Sequence, residues 1–337
     1  MSSHATAKAP GELRDADRRG AVIVLSDVHK SHGSTVALQG MSLTVPRGAI
    51  FALLGPNGCG KTTTLKLLLG MNRPDSGTGT VFGLRMDDEL QSVAIRQRTG
   101  FVSETKELFQ GLDVATTIRL VRAMYPLWDA SLERELLQRF ALPPKQKVAA
   151  LSKGMRAKLA LLVACCRRAE LLILDEPTDG LDPAAAEQMI ETLVGMVAES
   201  ELTVLLSSHQ LHEVERVADG LAIMRDGRVV LQGELDELRQ RVRRVEVRWK
   251  DIDVFADRMA PDDRSDMSHA TLDKHVREML PDATDLLRVI RRDGELTVFL
   301  RGDADSVANT FTGRGAEVSV HPVPLRELFL TLTEAHR

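Results

Sequence analysis

The run Gly55-Pro56-Asn57-Gly58-Cys59-Gly60-Lys61-Thr62 constrains the fold more than any other stretch of the chain. It fits the pattern G-x-x-x-x-G-K-[ST], a loop that cradles phosphate where a strand passes into a helix. Both flanks suit that context. Ala49–Leu54 is a continuous apolar run, as a parallel strand covered on both faces requires, and Thr63–Leu69 reads as a helix. Glycines permit a tight turn that aims successive backbone N–H groups at one anion, and the helix adds its positive N-terminal end. Lys61 then reaches the β- and γ-phosphates and the Thr62 hydroxyl reaches Mg2+, with Thr63 next in the first helical turn. Cys59 acts as a small residue through its backbone N–H, and a thiol reagent that reached it would block nucleotide.

Two more apolar strands end in chemistry. Leu171-Leu172-Ile173-Leu174 stops at Asp175-Glu176-Pro177. Ligands of open α/β sheets bind at the carboxyl ends of strands, which places these carboxylates beside the loop. Asp175 suits a contact to Mg2+ through water, and Glu176 suits the base that orients an attacking water. Leu202–Leu206 ends at Ser207-Ser208-His209, so His209 projects at the same edge, toward the γ-phosphate. Taken alone, an Asp-Glu-Pro reads as a solvated turn and a lone histidine as a structural residue. A shared sheet edge is what gives them a role.

A chain of 337 residues predicts two domains. No apolar stretch is long enough to cross a bilayer; the longest, Leu159–Cys166, lies between Lys158 and Arg167-Arg168. Residues 1–20 are polar and mixed in charge, lack the apolar centre of a secretory signal, and read as a disordered tail. A net charge of −4 argues against a broad nucleic-acid surface, and the cysteines Cys59, Cys165 and Cys166 cannot form a disulfide framework, which points to a reducing, cytosolic compartment.

Between the strands, Lys30–Gly33 reads as a turn, Thr80-Val81-Phe82 as a short edge strand, and residues 90–166 as mostly helical. Ser152 is placed to cap the helix that ends near Cys166. Pro183–Glu199 reads as a helix with proline in its first turn, and Asp226-Gly227 as the turn of a hairpin. The pattern changes near Leu238. Beyond it come a basic run, Arg239–Arg244, a strand over Val245–Trp249, a charged and weakly patterned segment over 251–285, a hairpin about Asp293-Gly294, a strand over Val318–His321 and a helix over Leu325–Glu334.

The order of Gly55–Thr62, Leu151-Ser152-Lys153-Gly154-Met155, Leu171–Pro177, Asp179-Gly180-Leu181-Asp182 and His209 resembles that of ABC-transporter ATP-binding subunits, over residues 21–235. The resemblance implies an α/β P-loop NTPase fold of the ABC type over 21–238, with a helical subdomain near 90–166, and a smaller α+β accessory or dimerisation domain over 239–337. It also implies binding and hydrolysis of ATP with Mg2+. Two identical or related subunits would sandwich two ATP molecules, with Ser152 and Gly154 of one facing the P-loop of the other and Asp182 at the interface. A separate integral-membrane permease would do the transport and hold the subunit at the inner face of the cell membrane.

The sequence departs from the family's commonest pattern. Lys153 and Met155 replace Gly and Gln in the signature. Glu104 stands where a glutamine usually contacts the metal, and a carboxylate there still suits Mg2+. His32 stands where an aromatic residue stacks on adenine. Glu104, Tyr125–Asp129 and Leu151–Met155 resemble a bacterial branch that pairs with ABC-2-type permeases, as in multidrug, antibiotic-resistance or envelope-stress exporters. Tyr125 and Trp128 would line a permease groove or pack the helical subdomain. A soluble ABC ATPase acting on ribosomes or nucleic acid is the rival reading, as is a regulator without transport. The first usually carries two cassettes or a long coiled-coil insertion, and this sequence has neither, so no nucleic-acid partner is expected.

Overall fold

The computed structural model describes residues 20–249, 276–280, 285–292 and 295–333. The tail expected before Gly20, nearly all of the 251–285 segment, the Asp293-Gly294 turn and Glu334 lie outside them. The chain divides into two compact units between Gln232 and Gly233.

In the first unit, β1 (Ala21–His32) and β2 (Thr35–Pro46) form an antiparallel hairpin. The turn is narrower than Lys30–Gly33. The strand runs on through His32, which pairs with Thr35, and only Gly33-Ser34 turn, with Gly33 at φ 61°. There follow β3 (Ile50–Leu54), α1 (Lys61–Leu68), β4 (Ser76–Val81) and β5 (Leu84–Arg85). β4 lies between β1 and β5, so it is not the edge expected of Thr80–Phe82. Phe82 instead turns the chain at φ 56° and donates its N–H to Val22 O at 2.8 Å.

Next come α2 (Glu89–Arg98), β6 (Thr99–Val102), α3 (Val114–Met124), α4 (Ala130–Arg139) and α5 (Lys153–Cys165). β6 corrects the helical reading of this region. Thr99–Val102 is too short to show a period, and it joins the main sheet by parallel pairing with β7 (Leu171–Asp175). Gly100 permits that approach, since a Cβ there would lie 2.5 Å from Leu172 Cδ2 and 2.7 Å from Ala164 O. α6 (Pro183–Glu199), β8 (Thr203–Ser208), α7 (Leu211–Val217), β9 (Gly220–Arg225) and β10 (Arg228–Glu234) complete the unit.

Two sheets result, an antiparallel one of order β2-β1-β4-β5 and a second of order β10-β9-β3-β8-β7-β6. In the second, β9, β3, β8, β7 and β6 run parallel. Every residue of β3, β7 and β8 is buried, as parallel strands covered on both faces must be. Val22 and Leu43 of the first sheet, Leu53, Ile173 and Leu205 of the second, and Leu65 and Leu68 of α1 share one apolar core. The register Leu54↔Ser208 and Asp175↔Ser207 aligns the carboxyl ends of three adjacent strands, which is what assembles the site.

The second unit holds α8 (Leu235–Arg241), β11 (Val242–Trp249), β12 (Asp285–Arg292), β13 (Glu295–Arg301), α9 (Ala304–Thr312), β14 (Ala316–Pro322) and α10 (Leu325–Thr333). Its sheet is antiparallel, of order β12-β13-β11-β14. Val245, Val298 and Leu300 pack with Val307 and Phe311 of α9, a helix not expected from the sequence although Asp303 caps it through Ser306 N. The basic run begins in α8 and ends inside β11, where Arg244 pairs with Glu246 and Glu327. Among the described residues no helix is long and apolar enough to cross a membrane.

Candidate active site

Leu54 ends β3 in the core, and the chain turns sharply through Gly55–Gly60 into α1. Gly60 sits at φ 107° as the N-cap and supplies no side-chain cap, so the first-turn amides keep their capacity for an anion. A Cβ on Gly60 would lie 2.7 Å from Ala37 O. Pro56, Asn57 and Gly58 are exposed, whereas Cys59 is buried, with its Sγ where a Cβ on Gly55 would point. The thiol is therefore packed, and burial pushes its pKa up despite nearby Lys61. Thr63 is half-buried in the first turn. Lys61 is buried; its Nζ donates to Gly55 O at 2.7 Å and lies 3.3 Å from Glu176 Oε1.

β7 and β8 supply the acidic side. Asp175 Oδ2 accepts from Thr62 Oγ1 at 2.9 Å, and its Oδ1 accepts from Ser207 Oγ at 2.7 Å. The Ser207 hydroxyl in turn accepts from Glu176 N–H at 2.9 Å. Glu176 holds a left-handed backbone, φ 46°, unusual for a side chain of its size and characteristic of strained functional positions. Its Oε2 is 2.8 Å from His209 Nδ1; since a carboxylate only accepts, Nδ1 carries the proton in this pair. Among the described residues its buried Oε1 accepts no hydrogen bond, the approach of Lys61 Nζ being an ion pair only.

These residues suit a nucleoside triphosphate with its metal. Uncapped amides and a buried ammonium face an anion, Thr62 and Asp175 offer the hard oxygen donors that Mg2+ prefers, and Glu176 Oε1 is a buried acceptor with spare capacity.

The sequence profile described as ABC transporter matches residues 38–179. A second, described as an AAA domain, matches 144–215 within the same unit. The chain is 35% identical over 270 residues to a Nod factor export ATP-binding protein I of Cupriavidus pinatubonensis, covering 77% of this chain and 82% of that protein. It is 30% identical over 233 residues to the ABC transporter ATP-binding protein YtrB of Bacillus subtilis, covering 69% and 78%. The chain belongs to the ABC transporter ATP-binding family. A solved ATP-binding subunit of an ABC transporter superposes with a TM-score of 0.59 at 32% identity, over 65% of this chain and 92% of that one.

It is thus an ATP-binding subunit of an ABC transporter, homologous to exporter ATPases, in a family that hydrolyses ATP for transport. Relatives that are transporter subunits do not favour the ribosomal, nucleic-acid or regulatory readings.

In this ABC subunit the remaining expected residues fall into separate places. Ser152, exposed, caps α5 by accepting from Met155 N–H at 3.1 Å, and Gly154 lies in the first turn behind it. Asp182 caps α6 by accepting from Ala185 N–H at 2.9 Å. Lys153 Nζ donates to Asp179 Oδ2 at 3.2 Å, so the signature's extra charge is paired within its own chain. His32 is exposed at the end of β1. Glu104 is exposed in the turn after β6. Tyr125 and Trp128 pack inside the helical region: Arg167 stacks on Tyr125 at 3.6 Å and Trp128 Nε1 donates to Glu133 Oε2 at 2.6 Å.

Two participants escaped the sequence reading. Ser207, noted only as a strand end, is the hydroxyl that fixes both Asp175 and Glu176. Lys106, inside a polar stretch that suggests solvent, is buried against the Glu176 carbonyl. Nothing in the residue types around Lys106 signals that burial.

Proposed function

We propose that this subunit hydrolyses ATP with Mg2+ at a site completed by a second nucleotide-binding subunit, and that it drives an ABC-2-type permease in export. The observation that carries the reading is Asp175 pinned between Thr62 and Ser207 while Glu176 Oε1 stays unbonded beside Lys61. The Gly55–Gly60 amides and Lys61 bind the phosphates. Thr62 and Asp175 are the metal-side groups, and Glu104, exposed in the turn after β6, is assigned to the same metal; Mg2+, when bound, would neutralise charge on the phosphate oxygens. Glu176 orients the attacking water and accepts its proton, and His209 holds the Glu176 carboxylate and presents an imidazole to the γ-phosphate. His32 stacks on the base.

Ser152 and Gly154 act in trans. An N-cap hydroxyl at the start of a helix favours an anion, and Ser152 holds that position at the start of α5. Asp182 lies at the subunit interface. The Nod factor export relatives support export, and the family's subunits pair with membrane permeases, which would hold this chain at the membrane's inner face. Exposed Phe109, Met124 and Leu127 of the helical region suit an apolar partner surface. Residues 239–337 form the accessory domain.

The test is the Glu176→Gln variant, trapped with ATP in its source cells and recovered after mild detergent extraction. Co-purification of a multi-helix membrane protein is the expected result; ribosomes or nucleic acid without a membrane protein would refute transport.

A further inference from the structure

Ser103-Glu104-Thr105-Lys106-Glu107 is polar throughout, and a lysine in such a turn normally keeps its ammonium in water. Lys106 does the opposite. It is only 4% exposed, takes a left-handed backbone at φ 50°, and donates from Nζ to Glu104 O and to Glu176 O, each at 3.2 Å. Both acceptors are neutral carbonyls, and among the described residues no carboxylate lies within ion-pair distance of it. Burying a cation on such terms is costly, and desolvation together with nearby Lys153 lowers its pKa, partly offset by Asp179, Glu104 and Glu176.

What the burial achieves is visible at Glu176. That residue holds φ 46°, a conformation that costs of order 1–3 kcal/mol unless its surroundings fix it. Its N–H is fixed by Ser207 Oγ. Its carbonyl accepts from Asp179 N–H at 3.2 Å, inside the same loop, and from Lys106, which arrives from the turn after β6. Lys106 is therefore the link between the turn after β6 and the peptide that carries the Glu176 carboxylate.

We infer that Lys106 is a positioning residue for hydrolysis: its ammonium ties the Glu104 turn to the Glu176 backbone and so sets where the Glu176 carboxylate points. The inference rests on the reading of Glu176 as the base. Phosphate binding does not require the link: the P-loop amides, Lys61 and Thr62 belong to other elements, and Lys106 bonds the backbone carbonyl of Glu104, not its carboxylate. Turnover does require it, because a displacement near 1 Å at a reacting group is enough to cost on the order of a hundredfold.

The experiment compares the full-length parent with Lys106→Met, which keeps length and loses the charge, and Lys106→Arg, which keeps a buried donor. MgATP turnover, MgATP Kd and thermal unfolding are measured on each. The expected result is a kcat lower by about tenfold to hundredfold in Lys106→Met with Kd changed by less than about twofold, and partial recovery of kcat in Lys106→Arg. Unchanged kcat, or kcat and affinity falling together with the unfolding temperature, overturns the inference. If Lys106→Met does not fold, Lys106→Gln, neutral and one atom shorter so that its amide falls short of the Nζ position, is judged by the same criteria. Glu176→Gln separates the two claims. Parental turnover in it overturns the reading of Glu176 and the inference with it, whereas an inactive Glu176→Gln beside a fully active Lys106→Met overturns the inference alone.

Discussion

Thr62 Oγ1 donates to Asp175 Oδ2 at 2.9 Å, a bond between residues 113 positions apart. It exists because β8 lies between β3 and β7 in the sheet and Ser207, at the end of β8, donates to the other oxygen of the same carboxylate. Asp175 is thus held by two hydroxyl donors, and both of its oxygens serve as acceptors.

That arrangement makes Asp175→Asn a sharp test. The amide keeps the shape but turns its NH2 toward one of the two hydroxyls. Either hydroxyl can rotate, yet one bond to a charged acceptor is lost in a buried place, at a cost of about 1–3 kcal/mol. We expect a lower unfolding midpoint and an ATP turnover that no longer rises with Mg2+ over the parental range. Both are read by thermal unfolding and by turnover against Mg2+ concentration. Parental stability together with a parental Mg2+ curve would separate Asp175 from the metal.

Gly227 is a second constraint on the P-loop. Its N–H donates to Cys59 O at 3.1 Å and its O accepts from Gln39 N–H at 3.0 Å, so the β9–β10 turn joins the loop to β2. It holds φ 73°, and a Cβ there would lie 2.7 Å from Ala37 O and 2.8 Å from Leu38 Cα. Gly227→Ala is expected to lose about 1–3 kcal/mol of stability and to weaken MgATP binding. Gly111→Ala, with open space around its Cβ, serves as the control and stays within about 0.5 kcal/mol. Equal behaviour of the two variants in unfolding and ATP titration would contradict the role given to Gly227.

Much of this was legible because the strands that matter are short, apolar and end in reactive residues. Ile50–Leu54, Leu171–Leu174 and Leu202–Leu206 announce buried strands by composition, and chemistry at their carboxyl ends follows from the sheet rule. Thr99–Val102 was hidden since four residues carry no period and follow directly on helix α2. The interior position of β4 was hidden because antiparallel order depends on long-range pairing with β1. Lys106 was hidden for a different reason: its burial is set by Glu176, seventy positions on, and no local pattern encodes that.

Cys59 gives a prediction in pH. Burial raises its thiol pKa above the ordinary 9.0. A raised folded pKa means that the unfolded chain ionises first, so the stabilisation is complete below pH 9.0 and is lost as pH climbs through the folded value. Cys165 and Cys166 are raised by burial as well and act in the same direction. Cys59→Ala should therefore show a shallower alkaline loss of stability than the parent. Iodoacetamide at pH 8 should label Cys59 slowly in the folded chain and readily after denaturation. Fast labelling of the native protein, seen by mass spectrometry, would mean that the thiol is not packed as described.

The Lys153–Asp179 pair decides whether the altered signature matters to chemistry or only to the surface. Both side chains are more than two-fifths exposed, so the pair is worth at most about 1 kcal/mol of stability. Its position is less ordinary. Asp179 Oδ1 lies 4.0 Å from His209 Nε2, and His209 Nδ1 donates to Glu176 Oε2. Lys153 thus holds a carboxylate that would otherwise be free to compete for the imidazole of His209. Lys153→Gln should leave the unfolding midpoint nearly unchanged and alter turnover, and Asp179→Asn should remove most of that alteration. A double-mutant cycle on kcat measures this directly: the two changes should be non-additive, as expected of groups acting through one partner. Strictly additive effects on kcat would confine Lys153 to the protein surface.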